Sequence, residues 1–294
     1  NANRQAGEFG RYMQDAQNKA ENFGQKAGDV FKGVGVAAGA LASGAIAGLG
    51  LAVGQSILEM EDAFAKLQAQ TGATGDDLSN LESAAKDAFS RGYGESLSEV
   101  SDAVARVKQN MHELDGSEIS DVTAKALLLA KTTDSDINEV TRGAQNLMDA
   151  FGISADVAFD LFTKGAQSGL NMSNDMFDQM GEFSSVAEQA GYSAEELFGV
   201  MQRGAENGVY NLDRVNNAIL EFGIKTTDGN KATGDSFSLL SDSTQQMWKD
   251  MQAGKVTAKE LSSTVIQELK SMDDQNLANQ IGISMWGTTW EDNT

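Results

Sequence analysis

"SLSEVSDAVARVKQNM", from Ser96 to Met111, decides the fold class. Ser96 and Glu99 stand at the spacing of a capping box, in which the hydroxyl takes a backbone N–H of the first helical turn and the carboxylate reaches back to the cap. Behind this start, Leu97, Val100, Val104, Val107 and Met111 recur at steps of three and four. That is one face of an α-helix and not one face of a strand. The pattern repeats in both directions. Upstream, Ile57, Met60, Phe64 and Leu67 mark a helix, and the turn "TGATGDD" leads into another carrying Leu78, Leu81, Ala85 and Ala88. Downstream, Ile119, Val122, Ala126 and Leu129 give a further helix, then Ile137, Val140, Ala144, Leu147 and Phe151. A second capping box, Thr257-x-x-Glu260, introduces Leu261, Val265, Leu269 and Met272, with more helix expected over Gln245–Met251 and near Leu277. No alternating run of strand length competes, so the class is all-α.

Composition agrees. There is no proline among 294 residues, against a base rate of about one in twenty, and the many Ala, Gln, Glu, Leu and Met residues favour helix. Cysteine is absent, which removes disulfide frameworks and thiolate metal sites from consideration. The formal charge is −21, from 22 basic and 43 acidic residues. Such a surface repels phosphate and argues against sequence-specific nucleic-acid binding. The start at Asn1, without an initiator Met, leads us to expect a piece of a longer or processed chain.

One segment departs from this charged background. "GVGVAAGALASGAIAGLGLAVG", Gly33–Gly54, lies in an interval with no charge between Lys32 and Glu59. Before it, Phe9, Met13, Ala16, Ala20, Phe23, Ala27, Val30 and Val34 follow heptad spacing, and the register continues through Ala37, Leu41, Gly44, Gly48 and Leu51. A single elongated, coiled-coil-like helix is therefore expected, self-associating through Phe9, Met13, Phe23, Val30 and Leu41, with an amphipathic helix on its own core as the alternative. Gly35/Gly39, Gly44/Gly48 and Gly50/Gly54 are small-xxx-small pairs that let helix backbones approach closely, in a bundle or in a membrane. Seven glycines in this segment would each cost roughly 1 kcal/mol relative to Ala in an isolated helix. The segment therefore needs a packing partner or lipid. Only seven of its 22 residues are Val, Leu or Ile, which suits a conditional membrane contact better than a permanent anchor. Its position after 32 polar residues is wrong for a signal peptide.

Further on, Gly152–Phe183 aligns without gaps to Gly191–Phe222 at an offset of 39 residues. Ser154 and Ser193 match as N-caps, Phe159 and Phe198 as core residues, Gly165/Gly169 and Gly204/Gly208 as the end of the first helix, and Phe183 and Phe222 as the close of the second. Each copy reads as a helix hairpin. "GIKTTDGNKATGDSFSLLSDS", from Gly223 to Ser243, is rich in turn residues and is expected to be irregular. The expected organisation is thus an elongated helix over 1–56, a helical core domain over 57–225 containing both hairpins (152–183 and 191–222), and a loop with C-terminal helices over 226–294.

Catalytic and cofactor chemistry finds little footing. His112 is the only histidine, placed at a helix end where the dipole favours it, with no nucleophile elbow to serve. "DSDINE" sets Asp134, Asp136 and Asn138 at calcium-loop spacing, but Glu139 and Gln145 stand where that loop needs Gly and Glu. A helix N-terminus is the better reading. "GVGVAA" follows no strand and is no dinucleotide fingerprint. No enzyme, metal or cofactor is expected.

Several phrases, taken in order, resemble a known family: "ILEMEDAFAKLQAQTGATGDDLSNLESAAKDAFSRGYGESLSEV", "MDAFGISADVAFDLF", "AEQAGYSAEELFGVMQRGAENGV", "NNAILEFGIKTTDGN" and "MWGTTWED". Over about Ile57 to Asp292 the chain resembles the core of phage tail tape measure proteins, also called phage-related minor tail proteins, and a glycine-rich helix before that core is typical of them. The resemblance implies a helical protein held in the lumen of the tail tube, in contact with tube and tail-tip or baseplate proteins. It would set tail length in assembly and help the genome pass the host envelope and membrane on ejection. Self-association, most simply as a trimer, fits a tube of three- or six-fold symmetry. A fused peptidoglycan-cleaving domain is not expected, since the zinc ligands are missing. The competing expectation is a secreted pore-forming or colicin-like helical protein whose apolar segment inserts from a soluble bundle.

Overall fold

The computed structural model describes residues 53–112, 114, 116–206 and 212–291, and among these all regular structure is helical. The described residues divide into two compact units, one over 53–167 and 174–181 and the other over 168–173 and 182–291.

The first unit contains α1 (Val53–Thr71), α2 (Gly75–Ser90), α3 (Leu97–Asn110), α4 (Gly116–Thr133), α5 (Ile137–Phe151), α6 (Ala155–Gln167) and the first half of α7 (Met176–Gln189). Helices in substantial contact here are one or two places apart in the chain. The consequence is two layers: α1, α3 and α5 lie side by side in one, α2, α4 and α6 in the other. The core between them takes the apolar positions at helical spacing. Leu67, Leu81, Val100, Val104, Val107, Leu129, Val140, Leu147, Phe159 and Phe162 are all buried, each stabilising by about 1.5–3 kcal/mol relative to exposure.

Local chemistry sets the helix ends. At α3, the Glu99 N–H donates to Ser96 Oγ at 3.1 Å, while the Glu99 carboxylate accepts from the N–H of Glu95 at 2.5 Å. The return bond of the box therefore lands one residue upstream of the cap. Asp136 caps α5 by accepting from the Asn138 N–H at 2.7 Å, as expected of a helix start and not of a calcium loop. Gly152 ends α5 in the left-handed region, its N–H returning to the Met148 carbonyl. Where α5 crosses α7, a Cβ on Gly143 would stand 2.8 Å from the Phe177 carbonyl oxygen, so only glycine lets the helices meet at this depth. The Asn146 amide fixes the crossing by donating to the Gly181 carbonyl at 3.0 Å.

The second unit continues α7 and adds α8 (Ala194–Glu206), α9 (Asp213–Thr227), α10 (Lys231–Phe237), α11 (Asp242–Gln252), α12 (Ala258–Ser271), α13 (Gln275–Trp286) and α14 (Thr288–Glu291). Helix α13 packs on α9, α10, α12 and α14. Aromatic rings fill these junctions: Phe222 stacks on Trp286 at 4.6 Å, Trp286 on Trp290 at 5.3 Å, and Phe237 on Trp248 at 4.2 Å. The half-buried indole of Trp248 donates to the Thr226 carbonyl at 2.8 Å, so its polar tip is paired where the ring packs.

The irregular segment expected over Gly223–Ser243 is instead largely helical: α9 runs on to Thr227 and α10 occupies Lys231–Phe237. The reason lies in the side chains read as turn formers. Thr226 and Thr227 donate their hydroxyls to the carbonyls of Phe222 and Gly223, four residues back, and so close their own polar groups inside the helix. Asn230 then accepts from the Ala232 N–H and starts α10 as its cap. The first-helix glycines fall at the helix end as expected. Gly165 and Gly204 lie in the last turns of α6 and α8, and Gly169 follows the end of α6 at φ 82°. Gly208 lies outside the described residues.

Candidate functional site

In the first unit Lys66, Arg91, Lys108, Lys125, Lys131 and Arg142 pair with acidic side chains of other segments. Lys66 of α1 pairs with Asp102 of α3, Lys108 of α3 with Asp77 of α2, and Arg91 with Asp121 of α4 and Asp87 of α2. Lys125 of α4 pairs with Asp156 of α6, Lys131 with Glu95, and Arg142 of α5 with Asp178 of α7. Exposed pairs of this kind contribute about 0–1 kcal/mol each, so they are not the main source of stability. Their effect on the surface is larger. Each bridge neutralises a cation, and the remaining acidic residues give the unit a field that rejects polyanions. One carboxylate is held uneasily. Burial, then the neighbouring Asp178 and Asp136, push the Glu139 carboxyl above its ordinary range, against the opposing pull of Arg142.

The most constructed polar arrangement lies in the second unit, where the turn between α7 and α8 meets the start of α12. Gly191 sits at φ 93°, and a Cβ there would stand 2.5 Å from the Thr257 Cβ. That approach lets the Lys259 N–H donate to the Ala190 carbonyl at 2.9 Å. Two capping boxes face each other across the turn. Ser193 Oγ accepts from the Glu196 N–H at 3.2 Å and Glu196 returns to the Ser193 N–H at 2.8 Å. Thr257 Oγ1 accepts from Glu260 at 3.2 Å, and Glu260 accepts from the Thr257 N–H at 2.8 Å. Hydrogen bonds from the Thr257 backbone and hydroxyl hold the Glu260 carboxyl below its usual range.

Lys259 ties the boxes together. Its ammonium donates to both Glu196 oxygens, at 2.8 and 2.9 Å, with only 16% and 22% of the two side chains exposed. It also lies 5.7 Å from the centre of the Tyr192 ring. Burial pushes the Tyr192 phenol well above its ordinary pKa, although its hydrogen bond with Ser262 works the other way. Beside these groups opens a pocket walled by Val200, Val215, Ala218, Ile219, Phe222 and Trp286. The polar groups at its edge are already engaged with one another, so what the pocket offers is apolar surface.

Of the residues singled out from sequence, Phe9, Met13, Phe23, Val30, Leu41, Gly35, Gly39, Gly44, Gly48 and Gly50 lie outside the described residues, as does nearly all of the apolar segment. Gly54 falls near the start of α1. His112 is exposed just beyond α3. Among the described residues no group of three or more His, Cys, Asp or Glu is arranged to hold a metal ion, and no helix is long and apolar enough to cross a membrane. The Glu196–Lys259 pair escaped sequence reasoning because its members stand 63 residues apart. Ser193-x-x-Glu196 carries the local signal of a third capping box.

Compared with known proteins, residues 83–287, from within α2 to the residue after α13, match the family model described as phage-related minor tail protein. No curated protein and no solved structure matches the chain.

Proposed function

The chain belongs to the phage-related minor tail protein family, and on that premise we propose that it is a tape measure protein, housed in the lumen of the tail tube, which sets tail length and assists genome passage on ejection. Membership gives it a structural role in the phage tail, in association with other tail components. The single observation that carries the finer reading is the reach of the family match, which extends over helices of both compact units. Two physical features support it. The first unit pairs most of its cations with acidic side chains, so its surface does not cling to DNA passing through the same conduit. The heptad seam from Phe9 to Leu51 suits copies bundled along a narrow tube, most simply three.

We assign Gly33–Gly54 a conditional part in this scheme, packed against copies of itself in the particle and against the host membrane after release. The length-setting role is tested by electron microscopy of particles from a phage lacking this chain. Missing tails or tubes of irregular length are expected, and tails of normal uniform length would overturn it. The membrane role is tested by Ala45→Lys. A charge at a bilayer centre costs about 2.5–3.5 kcal/mol on insertion scales, whereas beside the seam position Gly44 it can reach solvent in a bundle. Such particles should have tails of normal length, adsorb normally, and fail to deliver DNA. Normal infection would exclude the membrane part.

A further inference from the structure

In the first unit, substantial helix contacts join only neighbours one or two places apart in the chain. Late helices therefore do not clamp early ones, and the unit behaves as a short array held by nearest-neighbour couplings. Those couplings are unequal. Packing is densest between α1 and α3, still close between α2 and α4, and thins through α3–α5 to α4–α6. The inward face of α5 explains part of the decline. It places Thr141, Gly143 and Gln145 among its buried residues, small or polar where α3 buries Val100, Val104 and Val107. Its link to α3 is partly polar, the Asn110 amide donating to Asn138 Oδ1 at 2.9 Å and Thr141 Oγ1 at 2.7 Å. The connection from α4 into α5 passes through Asp134, a non-glycine residue at φ 52°, which is a strained backbone position.

We propose that the first unit opens in a fixed order: α5, α6 and the first half of α7 release as one step while α1–α4 remain folded. The unit is then a directional device, giving up chain from one side instead of melting as a whole. Damage is transmitted asymmetrically. A defect in α3 undermines α5 because α5 rests on it, whereas a defect in α5 leaves α1–α3 with their own contacts intact. This order follows from the packing and holds whether or not the tail reading does.

Hydrogen exchange of the full chain, read by mass spectrometry across urea concentrations below the global transition, resolves such steps. Peptides from α5 and α6 should lose protection at lower urea than those from α1–α4. Leu147→Ala, at a fully buried site in α5, should speed exchange in α5 and α6 by roughly tenfold or more, and in α1–α3 by less than about twofold. Val104→Ala in α3 should speed exchange in both groups. Should Leu147→Ala fail to fold, the smaller truncation Val140→Ala, at another fully buried site in α5, asks the same question. One common opening energy across the unit, equal acceleration everywhere by the α5 variant, or earliest exchange in α1 and α2 would overturn the proposal.

Discussion

Replacing Gly191 by alanine tests whether the corner between the α7–α8 turn and α12 is built as described. The substitution meets two separate obstacles. At φ 93° a side chain is strained whatever the space, at a cost of about 1–3 kcal/mol. The new Cβ would also stand 2.5 Å from Thr257 Cβ and 2.6 Å from its Cγ2, and overpacking of this kind costs about 1–3 kcal/mol. Thr257 cannot simply turn aside, because its hydroxyl caps α12 through the Glu260 N–H. The expected total is roughly 2–6 kcal/mol. All three tryptophans of the chain, Trp248, Trp286 and Trp290, lie in the second unit, so their fluorescence reports on it selectively. With a urea dependence of about 1–3 kcal/mol per molar, the midpoint should fall by about 1 M or more. Gly254→Ala is the control: φ is 71° there, but nothing lies within 4 Å of a new Cβ, so it carries the backbone cost alone. Equal shifts for the two variants would refute the close approach, and a negligible shift for Gly191→Ala would refute the whole corner.

The remaining predictions concern charge and core. Because burial and acidic neighbours raise the Glu139 carboxyl, its ionised form opposes folding above the folded-state pKa, and that penalty fades as pH falls through it. Glu139→Gln should therefore raise the thermal midpoint at pH 7, by circular dichroism, and show no gain at pH 4. Glu260 has the opposite sign. Its folded pKa is lowered, so its contribution is present above the unfolded value and lost as acid titrates the folded form, and the deficit of Glu260→Gln should be largest at neutral pH and shrink on acidification. Lys259→Met leaves the largely covered Glu196 without its cation and should cost about 1–3 kcal/mol, less than a fully buried pair because water still reaches both ends. A double-mutant cycle with Glu196→Gln that gives no coupling would contradict this. Phe159→Ala and Phe198→Ala, at sites with no exposed area, should each cost about 3–5 kcal/mol in denaturant titrations, and near-neutral effects would count against their packing roles.

How far the fold was legible follows from the range of the forces involved. Ser96 with Glu99, Thr257 with Glu260, and the apolar steps behind them are interactions within one or two turns, so reading three or four residues ahead recovers them. The two-layer order of α1–α6 is different. It depends on which helix faces which, and nothing in the spacing of Val100, Val104 and Val107 says that α3 packs on α1 as well as α2. Gly143 likewise reveals its purpose only once Phe177 is placed against it. The stretch after Phe222 misled because Thr, Asn, Asp and Gly are turn formers on average, whereas here Thr226 and Thr227 bond back along their own helix. Glu196 and Lys259 meet through tertiary folding alone.

The most direct test of the tail assignment is to purify intact tails, quantify this chain against the tube subunit by mass spectrometry, and treat the tails with protease. A lumenal tape measure predicts a small fixed number of copies per tail, shielded in intact tails and cut once the tip is opened. Absence of the chain from tails, or its cleavage while tails remain intact, would contradict the account.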